Sequence, residues 1–137
     1  MSHTKNFHNT AYDEGTKCKL DLYTNYLRAW LPTFINNPYV EHIQIFDFFA
    51  GPGTDGCGNP GSPLLAAQEI RNAIDANASR MRSTLDINFH VNELKKEKFI
   101  QLQATVRKIR AHVPEISVHD SNQDFASLFQ QNLLKMR

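Results

Sequence analysis

Apolar residues recur along the chain in blocks whose spacing switches from helical to strand-like and back. Leu20, Tyr23, Leu27, Trp30, Leu31 and Phe34 repeat at helical intervals, predicting an amphipathic helix from Thr16 to about Phe34 whose aromatic stripe packs on a sheet. Pro32 is expected to kink or end that helix, and Asn36-Asn37-Pro38 to break the chain after it. Ile43 to Phe49 is a β-branched and aromatic run of the kind buried on both faces of an α/β sheet. Leu64, Leu65, Ala67, Ile70, Ala73 and Ile74 return to helical spacing, and Leu85 to Asn92 then alternates apolar and polar residues as a second strand does. Phe99, Leu102, Val106 and Ile109 mark a helix over Lys95 to Ala111, Val113 to His119 a short third strand, and Ala126, Leu128, Phe129, Leu133 and Leu134 a closing helix. Strand and helix therefore alternate, which predicts an α/β fold: a three-layer Rossmann-like partial sheet, mainly parallel, with flanking helices. Met1 to Gly15 lacks periodicity and reads as an irregular arm before a domain spanning 16–137.

The punctuation between the first strand and the next helix carries the candidate chemistry. Asp47-Phe48-Phe49-Ala50-Gly51-Pro52-Gly53 places a carboxylate near the strand end and two glycines where the chain must turn sharply. Glycines there let a ligand approach the backbone, as suits a nucleoside-containing cofactor across the carboxyl end of a parallel strand. Gly51 to Gly56 also spells G-x-G-x-x-G, yet the following residues, Asp55 to Gly61, are turn chemistry throughout. A helix becomes plausible only at Ser62, read as N-cap, and Pro63, read as the first helical position. No Lys-Ser or Lys-Thr follows the glycines, which excludes a P-loop. The Asp47 carboxylate would repel a phosphate and favour the ammonium and sulfonium of S-adenosylmethionine. The plain alternative is a connecting loop.

Two further positions fit the same ligand. Glu93, at the end of the second strand, is where an acidic side chain accepts hydrogen bonds from ribose hydroxyls, and it reads equally as a charge near the start of the next helix. Asp124 is placed to accept a hydrogen bond from an adenine amino group with Phe125 packing on the ring, or else to favour a helix N-terminus through its charge. His90 reads as a core or sheet-face histidine. Asp86 with Glu93-Leu94-Lys95 makes a weak E-x-K nuclease pattern that would hold a divalent ion.

Composition narrows the class without adding a partner. The chain has 137 residues, enough for one domain with a sizeable core. Its 15 basic and 14 acidic side chains leave a net charge of +1, so nothing in the charge balance points to nucleic acid or a membrane surface. Cys18 and Cys57 are far apart, with no C-x-x-C, and indicate neither a zinc site nor a disulfide framework. No apolar window reaches membrane-span length and the N-terminus has no signal-peptide core, so a cytoplasmic protein is expected.

Asp47 to Gly53, the glycine-rich insertion after it and Gly61-Ser62-Pro63-Leu64 together resemble the signature of the three-Cys-motif partner (TcmP) family. Thr16 to Leu20 and Tyr26-Leu27-x-x-Trp30-Leu31 are similar to that family's opening helix. The resemblance implies a class I methyltransferase-like Rossmann domain that uses S-adenosylmethionine. It puts Asp47, Gly51 and Gly53, with Pro52 between them, in motif I, Glu93 in motif II and Asp124-Phe125 in motif III. It covers nearly all of this chain but only the first part of the family's domain, before the acidic-proline motif and the substrate-side strands. The expected function is accordingly S-adenosylmethionine binding by a partial methyltransferase-like domain with no nameable catalytic base. The competing expectation is a non-catalytic binding or assembly module on the same fold. Strands ordered 3-2-1 would leave the first strand as an edge, which invites pairing with a second copy or a complementing chain.

Overall fold

The computed structural model describes residues 14–47, 50 and 60–124. The elements run α1 (Glu14–Ile35), β1 (His42–Asp47), α2 (Ser62–Ala76), β2 (Asp86–Asn92), α3 (Lys96–His112) and β3 (Ser117–Ser121). The three strands form one sheet in the order β1-β2-β3, with both pairings parallel. The chain is thus an α/β protein with a Rossmann-like, all-parallel partial sheet and flanking helices. α2 and α3 both pack into one core with the same face of the sheet, as right-handed crossovers that each move one strand along in the same direction would place them.

Strand register decides what that face presents. Ile43 lies beside Ile87, and Ile45, Phe89 and Val118 form a row across all three strands. These residues are buried with Leu27, Leu31 and Ile35 of α1, Ala66, Ile70 and Ile74 of α2, and Leu102, Val106 and Ile109 of α3 in one core. Phe89, at its centre, is 0% exposed. The opposite face is polar: His42, Gln44 and His119 are exposed, Asn88 and His90 half-buried. Phe46, His90 and His119, in register on that face, stack with ring centroids 4.8 and 4.7 Å apart. Their imidazoles repeat one cross-strand contact, His90 Nε2–H donating to Gln44 Oε1 at 2.6 Å and His119 Nε2–H to Asn88 Oδ1 at 2.9 Å. A helical layer over this polar face is not among the described residues.

Several boundaries differ from expectation for identifiable reasons. β1 alternates exposed and buried residues and is not buried on both faces. α1 starts at Glu14 and continues through Pro32, which sits in its last turn. Helical contact with the core runs along Leu27, Leu31 and Ile35, so Tyr26, Trp30 and Phe34, one position back and about 100° around the helix, face outward. Trp30 and Phe34 therefore do not join the core: they are 44% and 39% exposed. β3 begins at Ser117, because Val113 to Ile116 is spent on the exit from α3 and a turn at Pro114. The expected N-terminal arm, apart from Glu14 and Gly15 at the start of α1, and the closing helix lie outside the described residues.

Candidate functional site

Three parallel strands bring their carboxyl ends to one edge of the sheet, and three of the expected site residues lie there. Asp47 ends β1, Glu93 follows β2, and Asp124 follows β3. Gly51, Pro52, Gly53 and Phe125 lie outside the described residues.

Asp47 is half-buried, and its Oδ2 accepts a short hydrogen bond from the Ser62 hydroxyl. The structure here corrects the sequence reading of the α2 start. Gly61 is the N-cap, with no side-chain cap, so Ser62 is the first helical residue and Pro63 the second. Ser62 thereby spends its hydroxyl on the strand end and not on its own helix. Tyr23 reaches the same region from α1. Its hydroxyl is buried with no hydrogen-bond partner among the described residues, and burial followed by the Asp47 charge pushes its pKa well above that of an ordinary tyrosine.

Asn92 joins the three strand ends. Ala50 N–H donates to its carbonyl at 2.9 Å. Its side-chain Oδ1 accepts from Ser121 Oγ at 2.9 Å and Gln123 N–H at 3.0 Å, while Nδ2 donates to the Gln123 carbonyl at 2.9 Å. The residue is 2% exposed, although strand alternation would have placed it on the polar face. Asn122 completes the tie, its Nδ2 donating to the carbonyls of Glu93 at 2.6 Å and Leu94 at 2.8 Å.

Glu93 shows the local role that the sequence left open: its Oε2 accepts from Lys95 N–H at 2.8 Å, just before α3 begins. Its Oε1 has no hydrogen-bond partner among the described residues. Lys98, in the first turn of α3, has its pKa lowered by burial and then by the neighbouring Lys95 charge. Asp124 is exposed. Tyr23 packs against the core as its place in the apolar stripe predicted, but sequence reasoning missed that its hydroxyl comes under the Asp47 charge, and it missed Asn92, read only as a polar position in an alternating strand. A polar residue directly before the acidic strand end was the available signal for Asn92.

The nuclease pattern is not assembled. Asp86 begins β2 and Glu93 follows its end, so roughly 20 Å of extended chain separates the two carboxylates. Asp86 instead bonds Asn88 at 2.8 Å and lies 3.3 Å from His42, and the Asn88 hydrogen bond is the main cause of its lowered pKa. Among the described residues no group of three metal-ligating side chains occurs, and no helix is long and apolar enough to cross a membrane. No protein-family model matches the chain, and no curated protein matches it significantly.

Proposed function

We propose that this chain is an S-adenosylmethionine-binding, methyltransferase-like domain. The observation that carries the reading is the placing of Asp47 and Glu93 at the carboxyl ends of adjacent parallel strands, with the glycine-rich segment between β1 and α2. Ligands of open α/β sheets bind in the crevice outside those strand ends. The donor set suits this cofactor: Asp47 offers a negative charge to its cationic methionyl part, and Glu93 Oε1 an acceptor to its ribose. The likeness to three-Cys-motif partner proteins supports the same assignment, and with it a role for Gly51, Pro52, Gly53, Asp124 and Phe125 around the nucleoside.

When bound, the cofactor supplies an activated methyl group. The contribution of these residues is to hold it in a fixed orientation toward an acceptor, which is where much of the rate gain in such a transfer arises. Asn92 acts one step back, holding the three strand ends in register. A cytoplasmic setting fits this function.

Titration calorimetry with S-adenosylmethionine and S-adenosylhomocysteine tests the proposal on the wild type and Asp47→Asn. The substitution keeps an acceptor for Ser62 and removes the charge. Affinity is expected to fall about 10- to 100-fold, the scale of a lost charge-assisted contact. A folded wild type that binds neither ligand would overturn the reading in favour of a binding or assembly module.

A further inference from the structure

α1 and β1 are joined by residues 36–41, so the helix lies alongside the strand with its first turns toward the carboxyl edge of the sheet. Tyr23 stands about 18 Å along the helix from Ile35, and Asp47 about 17 Å along the strand from His42, so the two residues reach the same level. Asp47 is in register with the buried Val91, on the face of the sheet that shares its core with α1. Tyr23 lines a cleft of about 180 Å³ between α1 and β1 together with Phe46, the residue before Asp47, and its hydroxyl lies within range of the Asp47 charge.

That hydroxyl is buried and has no hydrogen-bond partner among the described residues. A buried phenol left unsatisfied costs stability that a phenylalanine in the same space would not. A polar group that is costly in the free chain, placed where open α/β sheets take their ligands, is one that a ligand completes. The neighbouring Ser62 hydroxyl already donates to Asp47, whereas the Tyr23 hydroxyl has no described acceptor. We propose that Tyr23 donates to the α-carboxylate of S-adenosylmethionine, while Asp47 faces the α-ammonium on the same carbon. The inference rests on the cofactor reading and adds to it the subsite for the amino-acid end.

Two features select the carboxylate, and not the ammonium, as the partner of Tyr23. Burial and the Asp47 charge both hold the proton on the phenol, which makes it a donor, and a hydroxyl donating to a carboxylate forms a strong, charge-assisted bond. Lys19 lies four residues earlier, on the same side of α1 and one turn further beyond the strand ends, where its exposed side chain adds a positive charge. The ammonium, lying toward Asp47, offsets the repulsion between that carboxylate and the ligand's own.

Titration calorimetry on the wild type and Tyr23→Phe compares two probes, S-adenosylhomocysteine and 5′-methylthioadenosine, the second of which keeps the nucleoside and sulfur but lacks the amino-acid group. S-adenosylhomocysteine should bind about 10- to 100-fold more weakly to the variant, the scale of a lost hydrogen bond to a charged group. Methylthioadenosine should bind both proteins equally, and circular dichroism should show the variant folded. Equal affinity of the two proteins for S-adenosylhomocysteine overturns the proposal and leaves the cofactor reading standing. So does an equal loss for both probes, which would mean that Tyr23 acts by shaping the cleft. A wild type that binds neither probe overturns the proposal and the cofactor reading together.

Discussion

The Ser62 hydroxyl donates to the carboxylate of Asp47, 15 residues earlier, so the first residue of α2 is tied to the last residue of β1. That bond spans the glycine-rich segment from one end to the other. It helps to fix where the Asp47 carboxylate points at the end of β1.

Ser62→Ala should destabilise the domain by about 1 to 2 kcal/mol, the cost of a part-buried hydrogen bond to a charged group. Urea unfolding of Ser62→Ala, Asp47→Ala and the double variant measures it. The two effects should be non-additive by about 1 kcal/mol. Full additivity would mean that Ser62 contributes through α2 alone.

Tyr23→Phe should raise stability by about 1 kcal/mol, because the substitution removes a buried hydroxyl that no described residue satisfies. The same residue sets an alkaline limit. Its folded pKa is raised, so the unfolded chain ionises first, and stability present below about pH 10 is lost as pH rises, by up to about 1.4 kcal/mol per pH unit. Unfolding midpoints measured from pH 8 to 11 should fall less steeply in Tyr23→Phe than in the wild type. Parallel slopes would show that Tyr23 ionises as freely in the folded chain as in the unfolded one.

Asn92→Ala should cost about 2 to 4 kcal/mol, since it strips partners from Ser121 and from both backbone groups of Gln123 in a buried setting. Hydrogen exchange at the Gln123 amide should accelerate by more than the global loss of stability alone produces. Asn92→Asp, which keeps Oδ1 but loses the donor to the Gln123 carbonyl, should also destabilise. A neutral result in both variants would remove Asn92 as the tie between strand ends.

Sequence alone determined the order of elements, the α/β class and the carboxylates at the strand ends, because periodicity and turn chemistry are local and the right-handed crossover rule leaves few ways to arrange them. Asp47 and Glu93 were legible for that reason. Tertiary structure decided what each of these residues does. Ser62 could be read as a helix cap until the fold brought Asp47 within reach of its hydroxyl. Asn92 looked like any polar residue of an alternating strand until Ser121 and Gln123 closed over it. The aromatic stripe of α1 looked uniformly core-directed, yet the helix turns the row of Tyr23, Leu27, Leu31 and Ile35 to the core and leaves Trp30 outside. In each case a side chain's partner lies many residues away or depends on how one element rolls against another. Local pattern holds no record of either, since only packing sets them.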